Sequence, residues 1–273
     1  MRRETVRLPV VSGSFYPADK AALIEELRRH LDEKAVRKRV LGLISPHAGY
    51  TYSGRVMGSL FSGIEVPDTV VILAPNHTGA GAPFSIWPEG YWSTPLGEVP
   101  TDEELVQEIT ASCNLVKINR EAHIREHSAE VILPFLQYMN PRVKIAVVVI
   151  RSGRYEDLQV FGKSIGTVLM KIRKNALVIA SSDMTHYENQ QSANRKDMLA
   201  ISEILALREA DLYRVVQENN ITMCGIDPVI SMLICSKERA ATKAELIRYE
   251  TSGVVSGDYD HVVGYAGIVV KRQ

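Results

Sequence analysis

Three apolar runs in this sequence end in residues that can hold a metal ion or move a proton. "VLGLIS" (40–45) runs into Pro46 and His47, "TVVILAP" (69–75) into Asn76 and His77, and "ALVIASS" (176–182) into Asp183, with His186 three residues on. An imidazole is a metal ligand or a general base near pH 7, and a carboxylate beside it orients either role. Taken singly, each residue has an ordinary reading: a loop or core histidine, or an Asx turn closing a strand at Asp183. In an open α/β sheet, however, sites lie beyond the carboxyl ends of the strands. If these three runs are parallel strands, His47, His77, Asp183 and His186 share one edge of the sheet.

Cys224, in "MCGIDPV" (223–229), is a further candidate. Asp227 reads as an N-cap and Pro228 as a first helical residue, so Cys224 stands just before a helix whose dipole favours a thiolate. A thiolate ligates metal or attacks carbon. A free cysteine is as often a small buried hydrophobe, and local context leaves both readings open. Cys113 and Cys235 read as buried hydrophobes. His30 lies in a charged helical stretch and reads as exposed; His261, in "SGDYDHVVGY", reads as a loop residue.

The elements that must position these groups alternate along the chain. "ADKAALIEELRRHL" has helical spacing with Asp19 as N-cap, and "TDEELVQEITAS" opens with a capping box, Thr101 and Glu104. "AEVILPFLQYM" is helical with Pro134 confined to its first turns. "VKIAVVVI" (143–150) is a buried strand, "YEDLQVFGKSIGTVLMKIRK" a helix, and 195–219 and 227–243 are two more helical segments. "AELIRYETSG" and "YAGIVVKR" close the chain as strands that pair antiparallel. The pattern predicts an α/β fold: a central, mostly parallel (mixed) β-sheet flanked by helices, in one domain over 1–273.

Composition sets the class. The 273 residues are 45% hydrophobic and carry 32 Lys+Arg against 32 Asp+Glu, so no net charge attracts nucleic acid or an acidic membrane. The run "RRHLDEKAVRKR" reads as a solvated helical face. Three cysteines without a CxxC pair, no apolar leader in "MRRETVRLPVVSGSFYP" and no membrane-length run predict a cytoplasmic protein.

The ordered motifs "GSFYPAD" (13–19), "SPHAGYTYSG" (45–54), "APNHTG" (74–79), "REHSAEVILPFLQ" (125–137), "SSDMTHY" (181–187) and "MCGIDPV" (223–229) resemble the Memo family, in particular its prokaryotic AmmeMemoRadiSam system protein B branch. The resemblance implies a fold related to the class III extradiol dioxygenases, with helices on both faces of the sheet. It implies His47, His77 and Cys224 as metal ligands, Asp183 and His186 as the accompanying polar pair, and Glu126, His127 and Ser128 as pocket borders. It also implies a functional link to a radical-SAM protein.

A thiolate in place of the carboxylate usual in non-haem iron oxygenases alters metal preference, so ring cleavage does not follow from the fold. The leading expectation is a mononuclear redox site, with iron as the metal and zinc or copper as alternatives. His186 would be the general acid or base and Asp183 the orienting carboxylate. Tyr50, Tyr52 and His127 are candidates for lining a substrate pocket, though tyrosines beside glycines also fit a packing role. The substrate, a small molecule or a peptide, is not written in these residues. Rival readings are a zinc hydrolase, a metal-free Cys224–His186 nucleophile pair, and a non-enzymatic adaptor that binds a peptide or metabolite.

Overall fold

Every residue of Thr69–Pro75 is buried, the pattern of a strand covered on both faces. In the computed structural model, which describes residues 5–151, 153–173 and 175–273, the chain opens with β1 (Val6–Arg7), α1 (Lys20–His30), β2 (Gly42–Ser45), α2 (Tyr50–Ser62) and β3 (Thr69–Pro75). Strands β4 (Phe84–Ile86), β5 (Tyr91–Thr94) and β6 (Gly97–Pro100), helix α3 (Glu103–Ser112) and β7 (Val116–Ile118) follow. A one-turn helix α4 (Glu121–Ile124) and a 3-10 turn (Glu130–Ile132) running into α5 (Leu133–Met139) lead to β8 (Lys144–Ile150), α6 (Tyr155–Lys171) and β9 (Ala176–Ser181). The last third comprises β10 (His186–Glu188), α7 (Gln190–Leu205), α8 (Glu209–Glu218), α9 (Ile226–Glu238), β11 (Lys243–Thr251), α10 (Gly253–Ser256) and β12 (Val262–Lys271).

Among the described residues nine strands form one sheet, in the order β10-β12-β2-β9-β3-β8-β4-β7 with β11 also paired to β12. The central four, β2, β9, β3 and β8, run parallel. β12 is antiparallel to β2, β10 and β11, so the sheet is mixed, as expected. β1, β5 and β6 make a separate small sheet. Side chains of the central strands alternate between two cores. Val71, Leu73, Val148 and Val178 face the layer built by α3, α6, α7, α8 and α9. Val70, Ile72, Val147 and Ile179 face the layer of α1, α2 and α5. Burying both faces is what makes these strands read as unbroken apolar runs.

Local signals decide most helix ends. Asp19 caps α1 by accepting from Ala22 N (2.9 Å), and Pro134 sits in the first turn of α5. The capping box is displaced: Asp102, not Thr101, accepts from Leu105 N (3.2 Å), because Thr101 is taken up in a bridge to Ile145. The segment 195–219 is two helices. The break falls at Leu207, whose φ of 55° no helix continues through. α9 is capped by Gly225 rather than Asp227, which lies inside its first turn and accepts from Gly153 N (2.8 Å). The helix ends at Glu238 and strand begins at Lys243, so the expected 227–243 helix is too long.

The charged run after α1 does not continue the helix, which stops at His30. His30 is not exposed as expected. Its ring lies where a Cβ on Gly54 would sit (Nε2 at 2.4 Å), its carbonyl oxygen comes within 2.1 Å of a Cβ on Gly58, and Nε2 meets Glu26 Oε1 at 3.0 Å. Two glycines one turn apart on α2 cut the notch that takes the end of α1, a pairing invisible in either segment alone.

Candidate metal centre

Parallel strands bring their carboxyl ends to one edge, and the loops leaving β2, β3 and β9 carry His47, His77 and Asp183 there. His47 is 2% exposed. Its Nδ1 lies 2.7 Å from Ser181 Oγ, and that hydroxyl spends its single proton on Ser128 O (2.7 Å). Nδ1 must therefore donate, which leaves the Nε2 lone pair pointing away from the sheet. The backbone N–H of His47 donates to Asp183 Oδ1 (2.9 Å).

His77 stands in a turn that Asn76 holds closed: Asn76 Oδ1 accepts from Thr78 N (3.1 Å) and Gly79 N (2.8 Å). Its Nδ1 donates to Glu126 Oε1 (2.9 Å), and its backbone N–H to Glu126 Oε2 (2.6 Å). Burial alone would raise the Glu126 carboxyl, but His77 and the N–H groups of Ser128 and His77 outweigh it and bring the carboxyl to about 2. Burial alone would lower His77; the Glu126 carboxylate overrides it and raises the imidazole. As with His47, the ring is fixed through Nδ1 and Nε2 is left open.

Cys224 lies in the loop before α9. Its Sγ is 3.4 Å from His47 Nε2, accepts from Asp183 N (3.3 Å) and faces Asp183 O (3.7 Å). The loop can come this close because residue 225 is glycine: a Cβ there would sit 2.2 Å from Ser181 O. Without a cation, burial and then the Asp183 carboxylate push the Cys224 thiol well above its usual range. A cation would have to displace that proton.

The ligand-capable atoms of His47, His77 and Cys224 lie within 4.8 Å of one another. Two tetrahedral ligands at about 2.0 and 2.3 Å from one ion are themselves about 3.5 Å apart, close to the 3.4 Å between Cys224 Sγ and His47 Nε2. The donor set thus suits one ion. His77, Glu126 and His127 form a second such group. There Glu126 already receives the His77 Nδ1 proton and the Ser128 N–H (3.0 Å), which suits it to orient His77 rather than to ligate.

Around this set the other candidates separate. The His127 ring stacks on His77 (centroids 4.9 Å apart) and meets His47 (5.5 Å) and Phe15 (5.1 Å) edge-on. Asp183 is buried, its carboxyl raised by burial despite the N–H groups of His47 and Ala48. His186 donates from Nδ1 to Thr222 O (2.9 Å), which leaves the lone pair on its Nε2. The imidazole that meets Cys224 Sγ is His47 (3.4 Å); among the described residues no Cys224–His186 hydrogen bond forms, the contact on which the metal-free rival rests. Tyr52 is 40% exposed. Tyr50 is a core residue instead: 1% exposed, its hydroxyl donates to Val131 O (2.8 Å). The packing reading of a tyrosine beside glycine is the one that holds.

The sequence does not assign the groups that hold these side chains in place, and marks Glu126 only as a border. Ser181 sets the His47 tautomer, Glu126 orients His77, and Thr222 anchors His186. Asp197, fully buried on α7, accepts from Thr185 N (2.9 Å) and the Tyr249 hydroxyl (2.8 Å) and so fixes the loop leading to His186. An aspartate on the apolar face of a helix was the one available signal for it.

A mixed α/β sheet flanked by helices, with histidines at the carboxyl ends of its parallel strands, is the architecture that the resemblance implies. The solved structure of an uncharacterized protein from Escherichia coli K12 shares that fold, with a TM-score of 0.58 at 11% identity over 85% of this chain and all of the other. The family profile described as Memo-like protein matches residues 7–269. MEMO1 family proteins of Methanocaldococcus jannaschii and Methanopyrus kandleri are 39% and 40% identical to it, each over 97% of this chain and 99% of the relative. The chain belongs to the Memo family.

Proposed function

We propose that this chain is a metalloprotein that holds one divalent ion, iron in its working state, on His47 Nε2, His77 Nε2 and Cys224 Sγ, and that it is a redox enzyme of the cytoplasm. The observation that carries the reading is a pair of imidazoles whose Nδ1 atoms are already committed to Ser181 and Glu126, beside a thiol at ligand spacing. Bound iron would supply open coordination positions and one-electron chemistry. The rest falls to the chain. Asp183 holds the backbone of His47 and lies against Cys224, keeping both ligands in register. His186, with Nδ1 anchored on Thr222, takes or returns a substrate proton at Nε2. His127 and Tyr52 border the space in which a small molecule or peptide binds. Three free cysteines suit a reducing compartment, and the radical-SAM link implied by the resemblance puts the substrate in a shared pathway.

The test is metal content of protein purified without oxygen, with Cys224→Ser alongside. About one iron per chain, lost in the variant, and substrate-dependent oxygen uptake abolished by His186→Ala, is the expected result. Zinc with no oxygen uptake would move the reading to a hydrolase. Metal-loaded protein without activity that captures a partner tightly would move it to an adaptor. Wild-type metal content in Cys224→Ser would remove Cys224 from the ligand set.

A further inference from the structure

A second concavity lies at the opposite edge of the sheet, where the parallel strands begin. A cavity of about 650 Å³ opens between the start of β2, the C-terminal ends of α6 and α9, and the segment after β12. Four arginines line it, Arg39, Arg173, Arg239 and Arg272, and Leu41, Leu169 and Met170 supply an apolar wall. Arg239 is only 7% exposed. Its guanidinium donates to Leu41 O (3.2 Å) and Ala176 O (2.6 Å), and Arg272 donates to the Arg239 carbonyl (2.9 Å), so the cluster is built into the fold.

Arg39 pairs with Glu65 (3.2 Å), but among the described residues no carboxylate forms an ion pair with Arg173, Arg239 or Arg272. Several surface arginines do have one, Arg29, Arg120, Arg142 and Arg214 each lying within 3.3 Å of a carboxylate oxygen; Arg37, Arg125 and Arg195 are as exposed and unpaired among the described residues, but none of them lines this cavity. The two helix ends offset some of the excess, each worth about half a negative charge. Three unpaired guanidinium groups against that leave a surplus of roughly two positive charges around a concave, partly apolar space. Carbonyl contacts satisfy N–H groups of Arg239 without neutralising it, and a guanidinium keeps its charge at any working pH.

We propose that this cavity binds a small organic phosphate, its phosphate on Arg173 and Arg272 with the buried charge of Arg239 behind them, and its carbon skeleton against Leu41, Leu169 and Met170. Guanidinium groups match phosphate oxygens in geometry and charge, and the volume falls in the range of small-molecule sites, about 300–1,000 Å³. The site lies across the sheet from the histidine edge and owes nothing to a metal.

Calorimetric titration of the full chain with phenyl phosphate at low ionic strength tests this. Wild type should bind one equivalent saturably, and tighter than it binds inorganic phosphate. Arg272→Gln and Arg173→Asn should each weaken binding about tenfold, the loss expected for one charge-assisted hydrogen bond. Asparagine suits the positive φ of 52° at residue 173, so that variant stays folded. Cys224→Ser should bind as wild type does. No saturable binding by about 10 mM, a regime weaker than any specific site, overturns the proposal. So does binding indifferent to both arginine variants, or binding lost in Cys224→Ser, which would move the phosphate to the metal centre. Inorganic phosphate binding as tightly as phenyl phosphate overturns the organic part of the assignment.

Discussion

At the scale of single residues, the groups that hold the histidines matter as much as the histidines. Glu126 is 1% exposed and spends both oxygens on His77, so Glu126→Gln should keep the fold yet weaken metal binding about 10–100-fold, as loss of an orienting carboxylate does. Competition against a chelator measures this, and wild-type affinity in the variant would reduce Glu126 to a packing role. The same pair makes metal-free stability depend on pH. A carboxyl depressed to about 2 stabilises the folded chain above its unfolded value and loses that contribution as pH falls. An imidazole raised by its partner contributes below its unfolded value and loses that contribution as pH rises through the folded one. With unfolded values of about 4.3 and 6.5, the pair contributes most between about pH 4.5 and 6.5. In urea unfolding of metal-free protein, the stability gap between wild type and His77→Gln should shrink from pH 6 to pH 9. A gap that does not change with pH would contradict the ion pair.

At the scale of elements, the site depends on how closely the loop before α9 approaches the end of β9. Gly225 makes that approach possible, and the atom a side chain would meet is a backbone oxygen, Ser181 O, which has no rotamer to give. Gly225→Ala should cost about 1–3 kcal/mol, the usual price of overpacking, and should lower metal content because Cys224 moves with its neighbour. Denaturant unfolding and metal analysis of one preparation check both. A variant as stable and as metal-replete as wild type would show that the loop has room to shift. His30 teaches the complementary point: its helix looked solvated because the notch that receives it is cut by Gly54 and Gly58 on another element.

At the scale of the whole molecule, one buried ion pair ties the start of the chain to the segment carrying Glu126 and His127. Arg7 pairs with Glu130, the two side chains being 1% and 0% exposed. Glu130 also accepts from Val10 N (2.9 Å), Val11 N (3.0 Å) and the Tyr16 hydroxyl (2.7 Å). Arg7 further donates to the carbonyls of His123 and Glu126. Removing the carboxylate leaves a buried guanidinium uncompensated, so Glu130→Ala should lose about 3–5 kcal/mol. The linked segment 10–16 carries Phe15 against His127, so metal affinity should fall too. A loss below about 0.5 kcal/mol, as for an ordinary surface change, would mean that the pair is not a strut.

The sequence by itself determined the α/β class, because unbroken apolar runs between amphipathic helices admit few folds other than a covered, largely parallel sheet. It also pointed to the strand-end positions of His47, His77 and Asp183, since parallel strands deliver their carboxyl ends to one side by topology alone. Local context marked Cys224 as a candidate and left its role open; its place as a ligand rests on the resemblance, as does Glu126 as a border. Tertiary structure alone decided that Tyr50 faces the core, that His30 is sheltered, that His47 rather than His186 meets Cys224, and that Arg173, Arg239 and Arg272, from separate elements, line one cavity with no ion pair to any of the three among the described residues. Each of these rests on contacts between residues far apart in the chain, and periodicity, caps and turn chemistry report only on near neighbours.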